Sequence, residues 1–212
     1  MGISSLLGKK ASAYLILLFY LLALLPGCAS KKANNPHSSE MKFNIDNSKL
    51  GAAINDTLYN LRFNPPLNWN NAGQKKVDEA GRAITKALAG NNQLSVKPLY
   101  IFVNGSDGSV LNIADIRLNP EQNNFDLKIK EYGRIMFGSD STNVKKAFYT
   151  KDGIEIAQFL IQKNGFVNFR LLFENGIGNL LQFDYLSKQE DYSNEVKAIE
   201  SSIGSIKLIK IH

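Results

Sequence analysis

Histidine, cysteine and converging carboxylates carry most acid–base, nucleophilic and metal chemistry, and this chain of 212 residues holds few of them. Its two histidines are His37, in a polar stretch, and His212, the last residue. A His-based triad or a His-rich metal site needs an imidazole held rigidly by a scaffold, which neither position offers. Asp78-Glu79 and Glu190-Asp191 are adjacent carboxylates, which diverge on a helix or sit in a loop and read as solvated. Asp115 and Arg117 alternate along one strand face and read as a surface pair rather than a site. Gly176-Ile177-Gly178 lacks the third glycine of a dinucleotide fingerprint, and Gly105-Ser106-Asp107-Gly108 lacks the Gly-Lys-Ser/Thr ending of a phosphate loop; both read as turns. No metal site, no cofactor and no catalytic residue is therefore expected, and the chain reads as a non-enzyme. Trp69, Tyr100, Tyr132 and Tyr185 could line a ligand or partner surface, although aromatics more often simply pack.

The one cysteine, Cys28, stands at the end of a three-zone segment. Met1–Ala11 carries Lys9 and Lys10 without an acidic residue, Tyr14–Leu25 is uninterrupted and apolar, and Pro26-Gly27 precede the cysteine. That grammar describes a cleavable secretory signal. The apolar stretch is short of the roughly 20 residues a spanning helix needs. Leu25-Pro26-Gly27-Cys28 resembles the bacterial lipobox, with proline where alanine or serine is usual. The resemblance implies cleavage between Gly27 and Cys28 and diacylation of Cys28, which becomes the mature N-terminus. Two acyl chains hold a protein stably where one gives only marginal binding. Ala29, rather than aspartate, implies the outer membrane more than the inner one, on the periplasmic face or the surface.

The formal net charge of +6 includes Lys9 and Lys10 of the signal, and the remaining basic residues are scattered. A nucleic-acid binder needs a basic stripe with aromatic platforms, so that class is excluded. Residues 28–56 are rich in Ser, Asn and Lys and read as a flexible tether. Residues 57–212 suffice for one domain with a real core.

Within that domain, residues 58–63 read as a strand stopped by Pro65-Pro66, and residues 72–89 as a helix ended by Gly90. Residues 99–103 and 110–118 form a hairpin pattern. Pro120 can open a helix with Phe125, Ile129, Tyr132 and Met136 on one face, while the alternation over 125–130 fits a strand; the two readings compete. Residues 144–150, 154–162, 166–174 and 180–186 are β-type runs separated by Asp152-Gly153, Asn164-Gly165 and 175–179, a four-stranded antiparallel meander. A helix over 192–203 stopped by Gly204, and an edge strand after it, complete the pattern. The order β-α-ββ-α-ββββ-α describes an α+β sandwich, an antiparallel sheet flanked by helices.

That order, the loop Phe63-Asn64-Pro65-Pro66-Leu67-Asn68-Trp69 and the closing Ile199-Glu200-Ser201-Ser202-Ile203-Gly204-Ser205-Ile206 resemble the Mog1/PsbP-like family, and the whole resembles bacterial lipoproteins of the DcrB type. The resemblance implies action by binding and assembly and offers no catalytic residues. The expectation is an envelope lipoprotein whose domain is a non-catalytic accessory module for a protein partner. The alternative is a carrier or sensor of a small hydrophobic or sugar ligand, which predicts a concave aromatic-lined pocket.

Overall fold

A computed structural model describes residues 39–121, 124–138 and 143–209. The expected signal, Gly27, Cys28, His37 and His212 lie outside the described residues. The architecture is α+β. A seven-stranded sheet runs in the order β3-β4-β5-β9-β8-β7-β6, and a three-stranded sheet in the order β1-β2-β10. The strands are β1 (Ile54–Asp56), β2 (Leu61–Phe63), β3 (Trp69–Asn71), β4 (Leu94–Asn104), β5 (Val110–Leu118), β6 (Val144–Lys151), β7 (Ile154–Lys163), β8 (Phe166–Glu174), β9 (Leu180–Lys188) and β10 (Lys207–Leu208). The helices are α1 (Gln74–Ala87), α2 (Phe125–Phe137) and α3 (Tyr192–Ser205). No described helix is long and apolar enough to cross a membrane.

The meander forms as its turns dictate. Asp152 and Gly153 have φ of 50° and 78°, and Asn164 and Gly165 have 52° and 77°. Two consecutive positive φ values match the right-handed twist of the strands they join, closing Lys151 on Ile154 and Lys163 on Phe166. Pairing of β5 with β9 then joins the meander to the β4–β5 hairpin. Between them, the competing readings of residues 125–130 resolve as helix. Asn124 caps α2 by accepting from the Leu127 amide at 3.3 Å, and Phe125, Ile129 and Tyr132 are buried one turn apart.

Each face of the large sheet carries a core. Leu111, Ile113, Leu171, Phe173, Leu181, Phe183 and Tyr185 point to one side, where Ile199, Ile203 and Ile206 of the α3 end meet Leu61 and Phe63 of the small sheet. Ala114, Ile116, Ala157, Phe159, Leu172 and Leu180 point to the other, under Phe125, Ile129 and Tyr132 of α2. A polar ring fastens α2 down. Arg170 grips Asp184 through Nε at 2.6 Å and Nη2 at 3.0 Å, and its Nη1 donates to the Tyr132 hydroxyl at 2.9 Å. That hydroxyl donates to Gln182 Oε1 at 2.6 Å, and Gln182 Nε2 returns to Asp184 at 2.6 Å. Burial opposes the Arg170 charge, but Asp184 more than offsets it and holds the guanidinium protonated.

Three expectations need correction. Residues 39–56 belong to the domain, not to a tether. Met41 N donates to Thr150 O at 2.8 Å and Thr150 N to Ser39 O at 3.1 Å, Phe43 packs on Tyr149, and β1 pairs with β2. Polar composition hid this, because the segment is held mainly by backbone bonds and by a few apolar contacts. Second, the strand expected from residue 58 begins only at Leu61: Asp56 Oδ1 accepts from Tyr59 N at 3.0 Å and folds residues 57–60 into a turn. Third, Gly204 lies inside α3 rather than stopping it. Its role is close approach, since a Cβ there would sit 2.7 Å from Ile45 Cγ1 and 2.8 Å from Phe43 Cβ.

Gly204→Ala should therefore destabilise the domain by about 1–3 kcal/mol, the usual cost of overpacking. Hydrogen exchange should speed first in residues 39–56. Unchanged protection of that segment would show that it does not depend on α3.

Candidate functional site

Four chain segments converge beside the start of α3. Trp69 opens β3, where it faces Asn104 across the β3–β4 pair. Asn104 ends β4, the turn 105–109 carries Asp107, and Glu195 sits in the first turn of α3. Asn68, at φ of 67°, lets the chain leave the Pro65-Pro66 stretch and enter β3 directly.

Glu195 is the hub. Its Oε2 accepts from Trp69 Nε1 at 3.2 Å and its Oε1 from Asn104 Nδ2 at 3.4 Å. The Asn104 Oδ1 accepts from Ser106 N at 3.1 Å and Ser106 Oγ at 2.7 Å, which shapes the turn. Asp107 Oδ1 accepts from Ser109 N at 2.7 Å. Burial and then the neighbouring Asp107 raise the Glu195 pKa above the ordinary carboxylate value, while the Trp69 hydrogen bond acts the other way. A cleft of about 390 Å³ opens over this group, lined by Asn68, Asn70, Asn104 and Asn194 with Leu67 and Lys49. Leu67 is 45 % exposed, a large apolar side chain on an otherwise amide-rich wall.

The arrangement presents fixed hydrogen-bonding groups around one carboxylate. Asp107 stands near enough to Glu195 for its charge to disfavour ionisation there. Both oxygens of Glu195 already hold donors. Among the described residues, no three His, Cys, Asp or Glu side chains converge to hold a metal ion. The asparagine amides of the wall can both donate and accept hydrogen bonds, beside one exposed leucine.

The four aromatics expected as a surface do not form one. Trp69 is 4 % exposed and packs at 6.4 Å on Tyr185, which is fully buried with its hydroxyl on Ser202 Oγ at 2.9 Å. Tyr100 shares that face but gives its hydroxyl to Asp56 at 2.7 Å, and burial followed by that bond pushes its pKa up to about 12. Tyr132 lies on the opposite face of the sheet. Asp78 and Glu79 are solvated helix residues, bonded to Gln74 and Lys76 of their own turn. Asp115, expected as half of a surface pair, is 1 % exposed. The residue missed by sequence reading is Glu195. An acidic residue in a first helical turn is common for dipole reasons, so nothing marked it. The proximity of Asp107 comes from the fold alone.

No protein-family model matches the chain, and no curated protein sequence does. The chain is similar to the solution structure of cyanobacterial PsbP (CyanoP) from Synechocystis sp. PCC 6803, with a TM-score of 0.44 and 12% identity, covering 78% of this chain and 95% of that one.

Because the folded state holds the Glu195 proton more tightly than the unfolded chain, stability should fall as pH rises from about 4.5 through the raised pKa. Glu195→Gln should flatten that slope in thermal melts taken across this range. An identical slope in the variant would assign the pH dependence elsewhere.

Proposed function

We propose that this chain is a cell-envelope lipoprotein of the DcrB type, cleaved after Gly27 and lipidated on Cys28, whose domain is a non-catalytic accessory module for a protein partner. What supports the binding half of the reading is the cleft over Glu195. Its polar groups are fixed by hydrogen bonds before any partner arrives, which lowers the ordering cost of association. Leu67 supplies an apolar anchor, and the surrounding asparagines can pair with peptide N–H and C=O groups. What supports the anchoring half is the order of basic segment, apolar run and Leu25-Pro26-Gly27-Cys28. Ala29, rather than aspartate, favours the outer membrane over the inner one. The partner is an envelope protein, and neither nucleic acid nor a cofactor is involved.

Two measurements test the halves separately. Cys28→Ala should abolish incorporation of labelled palmitate and release the chain from membranes; retained label would refute the anchor. A photo-crosslinker at Asn70 should capture a discrete envelope protein in intact cells, whereas one at Lys145 on the far sheet edge should not. Leu67→Asp should weaken that capture about tenfold or more, equivalent to at least 1.4 kcal/mol. Equal capture from both positions would refute the cleft as the docking site.

A further inference from the structure

The sheet face opposite Trp69 is only partly roofed. α1 packs along β4 and α2 over β5 and β8, and a cavity of about 250 Å³ lies between the two helices. Ile84 and Leu88 at the end of α1 form one wall and Met136 of α2 the other, with Val96 and Ala114 of the sheet beneath. Ala114 belongs to the core under α2, and Val96 packs against that core. Asn112 lies two residues before Ala114 on β5. Asp184 and Gln182 stand opposite Asn112 and Ala114 on β9, so all four side chains share the face that α2 covers.

The polar side chains lining the cavity are Asn112, Arg170, Gln182 and Asp184. Three of them are committed to one another: Asp184 takes two donors from Arg170 and one from Gln182, and Gln182 takes the Tyr132 hydroxyl. Asn112 is the exception. Its Oδ1 is buried without a partner, and among the described residues nothing bonds its Nδ2, which is not shut off from solvent as Oδ1 is. The residue as a whole is half-buried, and the cavity is what its side chain meets. An unpaired amide is costly beside an apolar side chain of the same shape, and native folds hold few of them. The cavity thus joins aliphatic walls to one unpaired amide, beside an ion pair whose charges cancel.

We propose that this cavity binds a small neutral aliphatic alcohol, its hydroxyl on the Asn112 amide and its hydrocarbon body against Ile84, Leu88 and Met136. A hydroxyl both donates and accepts, so it satisfies the amide whichever of Nδ2 and Oδ1 faces it. A carboxylate head would lie beside Asp184 and an ammonium head beside Arg170, in each case a like charge in a poorly hydrated place, so charged heads are disfavoured. The volume falls below the ~300–1,000 Å³ of drug-sized sites, which limits the occupant to a short chain or a single ring. The cavity lies on the opposite sheet face from Trp69 and the Glu195 cleft, and it does not depend on the protein-partner reading.

The test is a titration followed by amide chemical shifts, using the full chain carrying Cys28→Ala and three probes of equal chain length: 1-hexanol, hexanoate and hexylamine. Hexanol should bind saturably at ~1 mM or tighter, and each charged probe at least tenfold more weakly. The saturating shifts should fall in residues 84–88, 96–98 and 112–114. Asn112→Leu should cost at least fivefold in hexanol affinity, yet leave the ligand-free melting temperature unchanged or higher, since it removes an unpaired amide. Ala87→Phe places a ring on the cavity wall from an exposed helix position and should weaken hexanol to the same degree. That exposed position keeps the test decisive if Asn112→Leu fails to fold. No saturable binding of hexanol, or saturating shifts confined to other residues, would overturn the proposal. So would hexanoate or hexylamine binding as tightly as hexanol, or hexanol affinity unchanged in both variants. A lower melting temperature for a folded Asn112→Leu would also overturn it, by making Asn112 a structural residue of the sheet.

Discussion

The central sheet is apolar on both sides, and every other element is placed by the need to cover it. In β9, Leu180 through Tyr185 are buried without interruption, although their side chains alternate between the two faces. A strand buried on both faces cannot use one side as a solvated surface. On the face of Phe183 and Tyr185, α3 alone is too narrow a cover. The small sheet and residues 39–56 complete it, with Phe43 against Tyr149 and Ile54 against the same core. This makes Gly204 a packing requirement: the N-terminal segment crosses α3 where only a hydrogen fits. Residues 39–41 also bond to β6, the last strand of the large sheet, and so mask part of an otherwise open edge.

The opposite face meets the same demand differently. Under α2 it buries Arg170, Asp184, Gln182 and Tyr132 together. A buried ion pair seldom adds stability over a well-packed apolar replacement, because desolvation of both partners offsets their attraction. Its effect here is on register. The bidentate grip joins β8 to β9 at Arg170 and Asp184, directly opposite one another, and the Tyr132 hydroxyl ties α2 to that same rung. A one-residue slip would carry the whole set to the other face. The contrast with Asp115 is informative. Both are buried aspartates on adjacent strands, but Asp184 holds a guanidinium fork and an amide, while Asp115 holds neither.

The meander was legible in the sequence because Asp152-Gly153 and Asn164-Gly165 state their turn geometry locally. The helix at α2 was half legible, since Phe125-Asp126-Leu127-Lys128-Ile129-Lys130 alternates like a strand and only the burial of Tyr132, further along, decides the period. The small sheet was not legible. Strands of two or three residues carry no periodicity, and β2 finds β10 across more than a hundred intervening residues. The candidate site was least legible of all. Trp69 was visible as the chain's single tryptophan, but Glu195, Asn104 and Asp107 are unremarkable until the fold brings a hairpin turn against a helix start. Asp115 misled in the other direction: alternation with the exposed Arg117 suggested a solvated pair, and nothing local reveals that β4 and β9 enclose it.

The early start of the domain also bears on how it is presented. If the tether reached residue 56, the domain would trail on roughly 100 Å of extended chain, at about 3.3–3.6 Å per residue. With residues from Ser39 onward in the domain, a lipid on Cys28 would be at most roughly 40 Å of chain away. On the lipoprotein reading, so short a connection would raise the effective concentration of the domain near the membrane. The first described residues lie at the β6–β7 turn, where Glu40 accepts from Asp152 N at 3.0 Å and from Thr150 Oγ1 at 2.8 Å. The Glu195 cleft is built instead from the β3–β4 pair, the β4–β5 turn and the start of α3. In the seven-stranded sheet β6 and β3 are opposite edges, so the first described residues and the cleft lie across the width of the sheet from one another.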